Sequence, residues 1–94
     1  MTSPAGPTAD ELRRRLTESL LAVERADTAL DRVAAAREAR LTAERLEAAV
    51  LRDARAEKIS WAKIGAAYGL TKQGAQQRFS APIRALDETD GADG

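Results

Sequence analysis

The apolar positions of this chain fall into three stretches that differ in spacing. In the first, Leu12, Leu16, Ser19, Val23, Ala26, Leu30 and Val33 recur alternately four and three residues apart. That is the a/d seam of a heptad helix, with Ser19 as its polar member. Leu20 widens the stripe, and Arg15, Glu24, Arg25, Asp27 and Arg32 flank it. The seam fades after Val33, because Arg37 and Arg40 fall where apolar residues would continue it. In the second stretch, Leu46, Ala49, Val50 and Ala54 make a new stripe. In the third, Ile64, Gly65 and Tyr68 recur at helical spacing, and Ala75 and Phe79 lie one turn apart on one face. No run of alternating β-branched residues occurs. The pattern predicts an all-α fold: a long N-terminal amphipathic, coiled-coil-like helix, then a compact tri-helical module.

Start and stop signals place the boundaries. Thr8-Ala9-Asp10-Glu11 is a capping box, and its acids suit the positive end of a helix dipole. From Thr8 to Lys58 there is no Gly, Pro or Asn. An unbroken helix over that span would be roughly 75 Å long at about 1.5 Å per residue. A boundary, a bend or a change of buried face is expected around Arg37 to Thr42. Thr42 could cap a new helix, although Arg45 three residues on leaves its box incomplete. Ser60 is an N-cap for a short helix, and Gly69 ends it in a left-handed turn. Leu70 points inward from the turn, and Thr71 caps the next helix. Ser80-Ala81-Pro82 reads as a helix end and restart, with Pro82 at a first helical position and Ile83 and Leu86 tucked onto the core. The expected organisation is a disordered leader over 1–7, a dimerisation helix over 8–40, a three-helix domain over 41–86 and a disordered acidic tail over 87–94.

Composition narrows the chemistry. The chain has 94 residues, no Cys and no His. Disulfides, thiolate nucleophiles, the usual zinc sites and the commonest general base are therefore excluded. No nucleophile–base pair or metal cluster stands out, so neither an enzyme nor a cofactor, metal or small-molecule ligand is expected. The N-terminus lacks the apolar core of a signal peptide, and no apolar run reaches membrane-spanning length, so a cytoplasmic protein is expected. Net charge is zero but unevenly spread. Residues 1–51 carry eight Arg against nine acids, a balance of −1. Residues 52–84 carry seven Lys and Arg against Asp53 and Glu57, a balance of +5, and residues 85–94 carry four acids and no base. Positive charge is thus concentrated on the module that also holds all three aromatics, Trp61, Tyr68 and Phe79.

Residues 61–79, W-A-K-I-G-A-A-Y-G-L-T-K-Q-G-A-Q-Q-R-F, resemble the helix-turn-helix of many small actinobacterial DNA-binding proteins. Those often read S-W-x-x-I-G-x-x-L-G-(V/I)-(S/T)-x-Q-A-A-x-x-R-F. More loosely, the stretch is similar to sigma-factor region 4 and other homeodomain-like modules. The resemblance covers about twenty residues of 94. It departs at Gly74, where that family often has Ala, and at Tyr68, where it often has Leu. Gly inside a helix costs up to about 1 kcal/mol relative to Ala, which either reflects close backbone approach or is neutral.

The resemblance implies double-stranded DNA as partner, with the helix over 71–80 in the major groove. With Ala75 and Phe79 inward, Lys72, Gln73, Gln76, Gln77 and Ser80 face outward, and the first four are the candidates for reading bases. Gln can pair bidentately with adenine, and Lys can approach guanine or phosphate. Ser60 and Thr71 at helix N-termini, with Lys63, Arg78 and Arg84, are the phosphate candidates. Trp61 either stacks at the DNA backbone or covers the core. One short helix gives little contact, so a homodimer held by Leu12, Leu16, Leu20, Val23, Leu30 and Val33 is expected. Such a protein would be a small transcriptional regulator or nucleoid-associated protein. The alternative is a protein-interaction subunit whose heptad helix pairs with another protein. Ordinary folding of that helix back onto its own chain is a further possibility.

Overall fold

A computed structural model describes residues 6–91, with side chains to Asp87. It holds four helices: α1 (Ala9–Arg25), α2 (Ala29–Ala56), α3 (Trp61–Tyr68) and α4 (Lys72–Gly91). No strand occurs among the described residues. They form two compact units, Thr8–Glu47 and a second made of the leader's end with Ala48–Gly91.

In the first unit the capping box at Thr8 is present in both directions. The Glu11 amide donates to Thr8 Oγ1 at 3.1 Å, and the Thr8 amide donates to Glu11 Oε1 at 3.0 Å. The expected single helix over 8–40 is instead two helices, broken at Ala26–Thr28 without Gly or Pro. Local hydrogen bonding accounts for the break. Thr28 Oγ1 accepts from the Asp31 amide at 3.0 Å, and the Thr28 carbonyl accepts from the Arg32 amide at 3.0 Å. Thr28 thereby caps α2, and Asp31 sits in its first turn, where a carboxylate is favoured. The two helices run back along each other. An open groove of about 500 Å³ between them is lined by Arg15, Ser19 and Ala22 of α1 and by Ala35, Glu38 and Thr42 of α2.

The hairpin explains why the seam fades. The buried side of α2 runs through Ala35, Ala39 and Thr42, in a different phase from α1, and on to Leu46, Ala48, Ala49 and Leu51. Arg37 and Arg40 are exposed because they continue the stripe of a helix that has already ended. Of the boundary, bend or change of buried face expected around Arg37 to Thr42, there is no helix boundary: α2 continues through it, with Thr42 buried in mid-helix. The six seam residues proposed for dimerisation divide accordingly. Leu12 is fully buried, and Leu16 and Val23 are half-buried. Leu20, Leu30 and Val33 remain 56%, 77% and 63% exposed.

The second unit has a core of Leu51, Trp61, Ile64, Ala75 and Phe79, with Ile59, Leu70 and Ile83 packed against it. Two of its helices end in the same motif. The Leu70 amide donates to the Gly65 carbonyl at 2.7 Å and the Gly69 amide to the Ala66 carbonyl at 3.3 Å, with Gly69 at φ +70°. At the end of α2 the Ile59 amide donates to Ala54 and the Lys58 amide to Arg55, with Lys58 at φ +69°. Both are Schellman turns, and the second places a lysine where glycine is usual. Gly65 has a different role. A Cβ there would lie 2.7 Å from the Leu70 carbonyl oxygen and 2.8 Å from that of Thr71, so only glycine lets the turn close over α3.

Three expectations are corrected at the ends of the chain. The helix does not stop at Ser80-Ala81-Pro82, since α4 includes Pro82 and continues to Gly91. Pro82 cannot donate to the Arg78 carbonyl, but burial of Leu86 and part of Ile83 retains the following turns. Residues 87–91 of the expected disordered tail are therefore helical, and 92–94 lie outside the described residues. The leader is also not wholly loose. Gly6 lies against the Leu86 carbonyl, and Arg52 Nη2 donates to the Pro7 carbonyl at 2.8 Å; residues 1–5 lie outside the described residues.

Candidate nucleic-acid interface

The start of α4 is positioned by the turn before it. Gly69 reverses the chain, and Thr71 Oγ1 accepts from the Gly74 amide at 2.9 Å. The Thr71 carbonyl accepts from the Ala75 amide at 2.9 Å. Ala75 and Phe79 are then buried, and the helical period turns the other side of α4 outward. Lys72, Gln73, Gln76 and Gln77 are all exposed. By period, Gln73, Gln77 and Arg84 share the side opposite Ala75, Phe79 and Leu86, with Gln76 on its shoulder.

The phosphate candidates Ser60, Lys63, Thr71, Arg78 and Arg84 are exposed as well. Their availability differs. The Ser60 and Thr71 hydroxyls already accept cap hydrogen bonds, from the Lys63 and Gly74 amides respectively. The first backbone N–H groups of a helix still lack intrahelical acceptors, so both positions retain donors for an anion. The Arg78 guanidinium lies over the Phe79 ring, 5.4 Å from its centroid. Lys63, Lys72 and Arg84 make no ion pair among the described residues. Neither does Lys58, an exposed cation that the reading of the sequence left out of the site.

Two other residues of the basic segment serve the fold. Arg52 is only 19% exposed at its side chain, held by the Pro7 carbonyl and by Asp87 at 3.6 Å. Arg55 lies over the Trp61 ring at 4.8 Å and donates to the Ile59 carbonyl at 2.8 Å. Trp61 is 9% exposed beneath it, so the indole covers the core. Tyr68 extends that core outward, its ring 4.6 Å from that of Phe79 and tilted by 53°. Gly74 does not meet Gly65: a Cβ there would approach Thr71 Oγ1 at 3.1 Å and Leu70 Cβ at 3.9 Å.

No helix among the described residues is long and apolar enough to cross a membrane, and no group of His, Cys, Asp or Glu there could hold a metal ion. No protein-family model, curated protein or solved structure matches the chain.

Proposed function

We propose that α3, its turn and the start of α4 form a helix-turn-helix that binds double-stranded DNA. Lys72, Gln73, Gln76 and Gln77 read bases in the major groove. Ser60, Lys63, Thr71, Arg78 and Arg84 hold phosphates. The observation that carries this reading is that Lys72, Gln73, Gln76 and Gln77 are exposed on a helix whose Ala75 and Phe79 are buried. Two modules in a homodimer would read two half-sites, and the exposed Leu20, Leu30 and Val33 of the hairpin are the residues left to hold the copies together. The chain would then serve as a small transcriptional regulator or nucleoid-associated protein in the cytoplasm, with no catalytic role.

Fluorescence anisotropy with labelled duplex DNA across a salt series tests this. Four cations per module, Lys63, Lys72, Arg78 and Arg84, give an expected log–log salt slope of about −3.6. Lys72→Ala with Gln73→Ala should weaken binding at least about tenfold, roughly 1.4 kcal/mol. Unchanged affinity in that double variant removes the site assignment.

The same exposed leucines and valine favour a second reading, in which the hairpin docks on a different protein and the three-helix unit is a compact helical knob. Light scattering separates the two: a stable homodimer supports the first, and a monomer supports the second.

A further inference from the structure

We propose that the end of the leader is a latch on the second half of α4, and that this half opens independently of the α3–α4 core. Pro82 divides the helix. Having no N–H, it leaves the Arg78 carbonyl without its usual donor and interrupts the hydrogen-bond ladder that would couple the two halves. The first half is anchored by Ala75 and Phe79 in the main core. Beyond Pro82, half-buried Ile83 still packs against that core, but Leu86 is buried apart from it, and the backbone at Leu86 is covered by Gly6.

The fit at Gly6 is specific to glycine on two counts. Its φ is +79°, and a Cβ there would collide with the Leu86 carbonyl. Arg52 closes the latch from α2. Its Nη2 donates to the Pro7 carbonyl at 2.8 Å, while Nη1 lies 3.6 Å from Asp87 Oδ1, one residue past Leu86. One guanidinium thus ties the leader and the C-terminal half of α4 to the same helix, from a side chain that is only 19% exposed. Arg84 rides on the latched half, so its placement depends on the latch.

Native-state amide exchange on the full chain tests this, with Gly6→Ala and Arg52→Ala as separate variants. Each should speed exchange of the Arg84, Leu86 and Asp87 amides about tenfold or more while Ile64, Ala75 and Phe79 stay within about twofold of wild type. Arg52→Lys keeps the charge but loses the two-pronged donor, and should fall between wild type and Arg52→Ala. Equal acceleration of both groups of amides would show one cooperative unit and overturn the proposal. So would unchanged exchange in Gly6→Ala.

Discussion

The two halves of this protein are equally helical and unequally packed. The three-helix unit buries Trp61, Phe79, Ile64, Leu51 and Leu86, caps α3 and α4 with Ser60 and Thr71, and ends α2 and α3 in Schellman turns. The hairpin has equally good caps at Thr8 and Thr28. Its buried side chains, though, are Leu12, Ala39 and Thr42, while Leu20, Leu30 and Val33 face solvent. A large apolar side chain contributes about 1.5–3 kcal/mol on full burial, and an alanine methyl far less. Propensity and capping are therefore enough to specify where the hairpin's helices lie, whereas large side chains hold the three-helix unit together. A unit that leaves Leu20, Leu30 and Val33 outside has apolar surface to offer a partner, and one that buries Trp61 and Phe79 can carry a rigid polar face.

Truncation breaks this contrast most sharply. Phe79→Ala should cost about 3–5 kcal/mol in a denaturant melt, whereas Leu20→Ala in the hairpin should stay within about 0.5 kcal/mol. Comparable losses would mean the hairpin is packed as tightly as the core. Next in size, Gly65→Ala drives a methyl into the Leu70 and Thr71 carbonyls and should lower stability by about 2 kcal/mol, read as a shift of the thermal midpoint. The paired Schellman turns give smaller effects of opposite sign. Gly69→Ala has open space for its Cβ but the wrong φ, and should lose about 1 kcal/mol. Lys58→Gly relieves the same strain and should gain about 0.5–1 kcal/mol.

The smallest effect belongs to the hairpin. Asp10 accepts from Arg13 at 2.9 Å and Arg14 at 2.7 Å. The Arg13 hydrogen bond first, and then the charges of both arginines, hold its carboxyl below the ordinary value. A folded-state value below the unfolded one means that the stabilisation is present above the unfolded value and lost as pH falls through the folded one. An acid titration followed by NMR should therefore show the start of α1 loosening slightly at low pH, and Asp10→Asn should abolish that step.

Much of the three-helix unit was legible in the sequence because its signals are local. Ser60, Gly69 and Thr71 announce their turns by residue type, and Ile64, Ala75 and Phe79 by spacing. The hairpin was harder. Its turn contains neither Gly nor Pro, and the seam carries on in phase through Leu30 and Val33 although the chain has already reversed. The signal was Thr28-Ala29-Leu30-Asp31, a Thr with an acid three residues on, inside what reads as one long helix. Pro82 misled in the other direction, because the burial of Leu86 that offsets its missing hydrogen bond is tertiary. The same is true of Arg52: nothing at position 52 distinguishes an inward arginine from the exposed Arg55 one turn later. At the candidate interface, periodicity predicted the exposure of Lys72, Gln73, Gln76 and Gln77, whereas Ser80, expected outward as well, is half-buried and donates to the Gln76 carbonyl. Which cations are already engaged, Arg55 on Trp61 and Arg78 on Phe79, depends on packing.

The central claim is that DNA is met by the start of α4 and not by the hairpin. Titrating isotopically labelled protein with duplex DNA and following backbone amide shifts tests it directly. Binding through α4 should give the largest shifts at Lys72, Gln73, Gln76 and Gln77, smaller ones at Ser60, Lys63 and Arg84, and little change over residues 9–47. Shifts confined to the hairpin, or none at DNA concentrations that saturate a known binder, would contradict it.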